Sequence, residues 1–245
     1  MINETFDYLT TADNWWGRNG LATLTWNHVR ISIVVIVAAA LVTLPPAVLL
    51  GHRRRGGFLA VTAVNLSRAL PTFAVMALLF PISLSYGFGL GFWPTFVPLL
   101  LLALPPMFVN AYTGVATIDD EVVEAARAVG MTEREVLLGV EIPAAAPLIA
   151  TGLRVSAVQV VATTTLGTYV GYRCLGTPIQ IGIADNDTGQ ILGGALLVAL
   201  LSLGTELGIG ALARRLTPWT DKRRRTITHN ADDSVGDGPA FSERN

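Results

Sequence analysis

The sequence predicts an all-α, polytopic membrane protein with about five transmembrane helices. Of its 245 residues, 51% are hydrophobic and only 14% are charged, a balance that is too apolar for a soluble domain of this length. The apolar residues are gathered in long blocks, each able to cross a hydrocarbon core of about 30 Å as a helix. These blocks span residues 29–50, 58–84, 93–116, 144–170 and 191–213.

The segment before the first block, residues 1–28, is polar to amphipathic. It lacks the charged-then-apolar order of a cleavable signal peptide, so we expect the first block to be retained as a span. Trp15, Trp16 and Trp26 lie in this segment and are typical of a membrane-interface belt, with a cage for a cationic ligand as the alternative.

The loops between the blocks differ in charge. Residues 85–92 are Gly-rich and uncharged, which predicts a tight hairpin between the second and third blocks. Eleven of the 17 basic residues fall on one side of a five-span arrangement, and the positive-inside rule places that side in the cytoplasm and the N-terminus outside. They are Arg53, Arg54, Arg55, Arg127, Arg134, Arg214, Arg215, Lys222, Arg223, Arg224 and Arg225. We thus predict a transmembrane domain over 29–213 and a tail over 214–245 that is basic at first and then disordered.

A charged island, residues 119–143, separates the third block from the fourth and carries seven acidic and two basic residues. Asp119 and Asp120 predict the start of a short helix, where free N–H groups favour negative charge. Glu124 is expected to pair with Arg127 on this helix, and Gly130 is expected to end it. Helical spacing predicts its apolar face as Val122, Ala125, Ala126 and Val129.

A second short helix is predicted to follow directly in the same island. Thr132 and Glu135 have the spacing of a capping box, and Pro143 can open the next segment where its missing N–H costs nothing. The apolar face of this helix is predicted as Val136, Leu137 and Val140. The island should therefore form a helix–turn–helix with an apolar strip rimmed by charge.

The same island resembles the cytoplasmic EAA loop of ATP-binding-cassette importer permeases. The match runs from a Glu-Ala-Ala triplet through a glycine after three intervening residues to Val-Glu-Ile-Pro after nine more, with Val and Ile replacing the usual Ile and Leu. The matching residues are Glu124, Ala125, Ala126, Gly130, Val140, Ile142 and Pro143. The resemblance implies the type I importer permease core, with this loop docking into a cleft on a cytoplasmic ATPase.

Three further stretches, 65–72, 104–114 and 167–182, resemble segments of the permeases for quaternary-amine osmoprotectants. Residues 172–174, Tyr-Arg-Cys, replace the small residues that are usual before Leu175-Gly176. The substrate class implied is glycine betaine, choline, carnitine, proline or proline betaine. Methionine-type importers share the core, so an amino acid remains an alternative substrate.

The resemblance also implies the partners. The chain has no phosphate-binding loop, so it is expected to be a transport subunit rather than an enzyme, with ATP and Mg²⁺ bound by a separate ATPase chain and no cofactor of its own. A second permease subunit, identical or homologous, and an extracytoplasmic substrate-binding protein complete the expected assembly in the lipids of a bacterial inner membrane. No basic aromatic patch suggests nucleic acid, and a single cysteine, Cys174, excludes an internal disulfide.

Polar residues within the blocks are candidates for the translocation path. On the fourth block they recur at i, i+3 and i+7, the spacing of one helical stripe, although helix packing through hydrogen bonds is the alternative for each. The candidates are Asn65, Thr72, Asn110, Ser156, Gln159 and Thr163. Glu206 lies deeper in the fifth block, and we interpret it as the partner of an arginine or another polar group on a neighbouring span.

Two alternatives come from other functional classes. Residues 119–121 with Glu124 could be a Mg²⁺ site of a membrane metal-dependent transferase, but the remaining acidic pair, Asp185 and Asp187, falls on the opposite membrane face in the five-span arrangement. A stand-alone channel or secondary carrier is the other alternative, and the chain lacks the paired half-repeats that such carriers usually show.

Overall fold

The computed structural model describes residues 2–54, 57, 62 and 71–216, and within these residues every regular element is a helix. This confirms the predicted all-α fold. The helices are α1 (Ile2–Thr10), α2 (Leu21–Arg53), α3 (Thr72–Ser85), α4 (Phe92–Ala116), α5 (Asp120–Ala128), α6 (Glu133–Val136), α7 (Ile142–Thr163), α8 (Gly176–Asp185) and α9 (Thr188–Leu216). Short 3₁₀ segments cover Ala12–Trp15 and Thr164–Val170, and a π turn covers Leu137–Glu141.

Four helical stretches of the described chain are long and apolar enough to cross a membrane. They are Leu21–Arg53, Phe92–Ala116, Glu133–Val170 and Thr188–Arg215, and they contain the first, third, fourth and fifth predicted blocks. The second block is described in full only from residue 71 onward, where α3 forms a shorter apolar helix of 14 residues. Most of its first half, with the candidate Asn65, lies outside the described residues.

The first span begins earlier than predicted. Its helix starts at Leu21, eight residues before the apolar block, because Leu21 and Leu24 are already buried against the protein. Pro45 and Pro46 lie inside this helix, which continues through them to Arg53. The predicted hairpin at 85–92 is confirmed as the turn between α3 and α4.

The N-terminal segment is packed rather than free. Helix α1 lies against the last span, α9, whose glycines let it approach closely: a Cβ at Gly189 would lie 2.8 Å from the Glu4 carbonyl oxygen. The indole of Trp15 donates a hydrogen bond to the Leu9 carbonyl at 2.7 Å. Trp16 and Trp26 remain exposed, as a membrane-interface belt requires.

Helices α2, α4 and α7 enclose the core of the molecule. Helices α7 and α4 approach closely at Gly152 of α7, where a Cβ would lie 2.8 Å from the Pro106 carbonyl oxygen of α4. Side chains in the largest buried cluster include Ile31, Val35, Met76, Leu99, Met107 and Val160. The absence of a side chain at Gly152 therefore lets the third and fourth predicted spans pack backbone to backbone.

The segment after α7 folds back onto the start of α2. Residues 172–174, which differ from the small residues usual at this place, take part in its contacts. The Tyr172 hydroxyl donates to the Asn27 carbonyl at 3.0 Å, and the Cys174 thiol donates to the Thr164 carbonyl at 3.2 Å. Burial raises the pKa of the Cys174 thiol to about 11. The backbone N–H of Leu175 donates to His28 Nδ1 at 3.3 Å, and His28 Nε2 lies 2.8 Å from the Val161 carbonyl oxygen.

Candidate functional site

The charged island of residues 119–143 forms a loop, and this loop begins with the predicted capped helix. The Asp119 carboxylate accepts a hydrogen bond from the Glu121 N–H at 3.0 Å and caps α5. Helix α5 ends at Ala128, and Gly130 follows with φ +93°, a backbone conformation that residues with a Cβ adopt only under strain. The sequence-based prediction that Gly130 ends this helix is confirmed.

The second helix of the loop has the predicted capping box. The Glu135 carboxylate accepts from the Thr132 N–H at 2.8 Å, and the Thr132 hydroxyl accepts from the Glu135 N–H at 3.4 Å. This helix is not a separate unit, however. A π turn carries it directly into α7, where Pro143 occupies the first turn, so α6 is continuous with the fourth predicted span.

The apolar face predicted for α5 is wrong in register, except for Ala126. The side chains that are buried are Val123 and Ala126, which pack against Val136 of α6. Val122 and Val129 are 49% and 80% exposed, because the second helix folds against the other flank of α5. Together with the exposed Ala125, they form an apolar strip that is open to a partner.

The ion pair predicted between Glu124 and Arg127 is also wrong. The Arg127 guanidinium reaches across the turn and donates to both carboxylate oxygens of Glu133, from Nε at 2.9 Å and from Nη2 at 3.0 Å. A two-pronged contact of this kind suits the planar guanidinium better than a single contact along the helix. These hydrogen bonds raise the pKa of Arg127, and Glu124 stays exposed at the rim of the strip.

The loop is fastened to the end of the first span by two sets of contacts. Arg54, just after α2, pairs with Asp120 and donates from Nη2 to the Ile118 carbonyl at 2.6 Å. His52, in the last turn of α2, lies with Nδ1 2.6 Å from Glu141 Oε2 and with Nε2 3.3 Å from Glu133 Oε2. Sequence reasoning missed His52 and Glu141 because 89 residues separate them and neither has a local pattern.

The candidate stripe on the fourth predicted span is divided between two environments. Ser156 is fully buried, and its hydroxyl donates to the Ala103 carbonyl of α4 at 2.8 Å. Gln159 is exposed, and Thr163 is half-buried. Ser156 thus makes a helix-packing contact, whereas Gln159 is free to face a cavity, a partner subunit or lipid.

The other path candidates lie elsewhere in the fold. The Asn110 amide donates to the Pro106 carbonyl of its own helix at 2.8 Å and is half-buried beside α7. Thr72 is the first residue of α3 and is half-buried. Glu206 lies 3.5 Å from the Arg154 guanidinium, which confirms its interpretation as the partner of an arginine on a neighbouring span.

The acidic residues of the loop have structural tasks. Asp119 caps a helix and Asp120 pairs with Arg54. Over the ranges that the structure describes, no three histidine, cysteine, aspartate or glutamate side chains are grouped as metal ligands. The alternative of a metal-dependent transferase gains no support from this arrangement.

Known proteins are similar to this chain over most of its transmembrane region. The family model described as binding-protein-dependent transport system inner membrane component matches residues 36–222. The chain is 33% identical to the carnitine transport permease protein OpuCB of Listeria monocytogenes, over 84% of this chain and 93% of that protein. It is 31% identical to the choline transport system permease protein OpuBB of Bacillus subtilis, over 83% and 92%. It is 35% identical to the glycine betaine/carnitine/choline transport system permease protein OpuCD of Bacillus subtilis, over 82% and 86%.

Solved structures share the fold. An inward-facing structure of the MetNI methionine ABC transporter superposes with a TM-score of 0.68, at 23% identity, over 78% of this chain and 94% of that one. An amino acid ABC transporter crystallised with histidines gives a TM-score of 0.65 at 15% identity, over 80% and 93%. At these identities the likeness establishes the permease architecture alone.

Proposed function

The chain belongs to the family of binding-protein-dependent transport system inner membrane components, and on that premise we propose that it is a permease subunit of an ATP-driven importer for quaternary-amine osmoprotectants. Its family consists of permease subunits, which are not enzymes themselves, and its helices make it a multi-pass membrane protein. The observation that carries the proposal is the capped loop between spans, which presents an open apolar strip and is continuous with α7.

The substrate class follows from the relatives rather than from the fold. Proteins that are 31–35% identical over more than four fifths of this chain are named for carnitine, choline and glycine betaine. The methionine transporter, at 23% identity, shares the architecture only. We therefore place glycine betaine, choline, carnitine, proline and proline betaine ahead of methionine as cargo.

The loop is the proposed contact with the ATPase. Val122, Ala125 and Val129 form a strip of small and medium apolar side chains, and Glu124 lies at its rim. A cleft on a cytoplasmic ATPase would cover this strip, and ATP and Mg²⁺ would be held entirely by that chain. Closure of two ATPases would move two such loops, one from each permease subunit, and α7 would follow as a rigid body.

The transport proposal is tested with the complex purified from its native membrane and reconstituted in vesicles. We expect an ATPase, a second permease subunit and a substrate-binding protein to co-purify with the chain. ATP-dependent uptake should be seen with radiolabelled glycine betaine, choline or carnitine and not with methionine. Uptake of methionine alone would overturn the substrate class, and purification without an ATPase would overturn the importer.

The docking proposal is tested by placing a charge on the strip. Val129 is 80% exposed and makes no core contact, so Val129→Asp should leave insertion unchanged while abolishing ATPase co-purification. Leu138→Asp is the matched control, because Leu138 is also an exposed apolar residue of the loop but lies in the π turn rather than on the strip of α5. Equal loss of ATPase with both variants would show that the strip is not the contact.

The orientation in a bacterial inner membrane is proposed from the basic residues. With five spans the N-terminus is external and the C-terminus cytoplasmic. A reporter that works only in the cytoplasm should be active when it is fused after Arg225. A reporter that works only outside the cytoplasm should be active when it is fused before Trp15. Finding both ends in the same compartment would refute an odd number of spans.

A further inference from the structure

We propose that His52 is the positioning residue by which the first span holds the ATPase-docking loop, and that the protonation of His52 sets how firmly it does so. The inference rests on the proposed function, since it assigns the loop a task in transport. Its basis is the geometry at the cytoplasmic end of α2, where one imidazole lies between two carboxylates of the loop.

The first contact involves a buried charge. Glu141 ends the π turn that leads into α7, and its side chain is only 3% exposed. A carboxylate taken out of water is destabilising unless a partner compensates it. His52 Nδ1, 2.6 Å away, supplies that partner, and among the residues described the Glu141 carboxylate has no other hydrogen bond or ion pair.

The second contact determines which form of the imidazole fits. His52 Nε2 faces Glu133 Oε2 at 3.3 Å. A neutral imidazole carries one N–H, so a ring that donates to Glu141 from Nδ1 turns the lone pair of Nε2 toward the second carboxylate. Only the imidazolium donates from both nitrogens, and it also neutralises one of the two negative charges.

Other charged groups of the described residues also lie near the imidazole. They do not change the conclusion that only the imidazolium can donate to both carboxylates. Arg127 of α5 binds both oxygens of Glu133, including the Oε2 that faces His52, and Glu124 acts on Arg127 at longer range. Arg53 of α2 lines the same cavity of about 460 Å³ with His52, Arg127 and Glu133. Glu133 is 61% exposed, so water weakens that half of the bridge, and the buried contact to Glu141 is the stronger half.

The bridge joins parts that transport must move together. His52 ends the first span, Glu133 opens α6 and Glu141 precedes α7, so one protonated ring ties the first span to the loop and to the fourth predicted span. With an imidazolium at His52 both contacts hold. A neutral ring keeps the Nδ1 contact to Glu141 but turns a lone pair toward Glu133, so the first span holds the start of α6 less firmly while Glu141 and Arg54 keep the loop attached.

The test compares variants in the reconstituted complex, with substrate uptake and ATP hydrolysis both measured from about pH 5 to pH 8, where histidine side chains change charge. For the unaltered complex we expect the amount of substrate moved per ATP to fall as the pH rises. His52→Gln should lower this ratio at the acidic end by at least about fivefold, the lower end of the usual coupling range, and should remove its pH dependence. Arg53→Gln is the matched control and should leave both the ratio and its pH dependence unchanged.

Glu133→Gln separates positioning from a merely structural effect. An amide nitrogen in place of Oε2 can donate to the lone pair of a neutral His52 while Nδ1 still donates to Glu141. The remaining oxygen keeps the hydrogen bond from Arg127 Nε and the one from Nη2 is lost, so the ratio should become independent of pH whatever its level. Glu133 is exposed, so this variant should fold even if His52→Gln does not.

Two results separate the inference from the function it rests on. An unaltered complex that shows no ATP-dependent uptake refutes the proposed function. Uptake by that complex with a pH dependence that survives in Glu133→Gln, or in a correctly inserted His52→Gln, overturns the role of His52 alone.

Discussion

Replacing Gly130 by valine should uncouple transport from ATP hydrolysis without preventing membrane insertion. Gly130 has φ +93°, and a Cβ built there would meet nothing within 4 Å. The cost is therefore backbone strain rather than a clash, about 1–2 kcal/mol for an ordinary side chain in a left-handed conformation and more for a β-branched one. The population of the native turn should fall by a factor of about 5–30 or more.

This strain should destabilise the loop rather than the spans, because the helices of the loop are short and share only a small core. Helices α5 and α6 have nine and four residues, too few to be stable by themselves. Val123, Ala126 and Val136 form their small shared core. The spans are held by their own core and should tolerate the change.

The assay measures ATP-dependent uptake, ATP hydrolysis and the amount of inserted chain for the same vesicles. Gly139→Ala is the control, since Gly139 lies in the same loop without a positive φ and its new Cβ would lie 3.4 Å from the flexible end of Met131. Gly130→Val is expected to lose uptake and Gly139→Ala to keep it. Uptake at the unaltered level by Gly130→Val would refute the assignment of this loop as the coupling element.

Two further predictions concern the spans. Gln159→Cys should react with a membrane-impermeant thiol reagent from one side only, and its labelling should change when vanadate traps the ATPase. Ser156→Cys, at a fully buried position, should stay unreactive, and a Gln159→Cys thiol that is equally unreactive in both states would make the stripe a packing seam. The native Cys174 should add little background at neutral pH, because burial raises its pKa to about 11, which labelling of the unaltered chain checks. Glu206→Leu should lower the yield of inserted chain, because it leaves Arg154 without its partner. The double variant Arg154→Leu, Glu206→Leu should restore that yield, measured on blots of the membrane fraction. A yield that is not restored would mean that Glu206 has another task.

Local signals determined much of the loop. The capping box at Thr132 and Glu135, the Asp119 cap and the positive φ of Gly130 involve residues two to four positions apart, so their chemistry is complete within the sequence. Long apolar runs likewise determined four of the spans, because the hydrocarbon core sets their minimum length. The start of the first span at Leu21 was missed, since burial against other helices extended it beyond its apolar block.

Tertiary structure alone decided which faces are buried and which charges meet. Periodicity identified an apolar side of α5, but the fold of α6 against it buried Val123 and left Val122 and Val129 exposed. Arg127 had two possible partners, Glu124 on its own helix and Glu133 across the turn. Only the closed turn brought Glu133 within reach of Nε and Nη2 of Arg127. The buried contact between His52 and Glu141 joins residues 89 positions apart. Such a contact depends on how two spans pack, and helical periodicity carries no information about the partner that a helix face will meet.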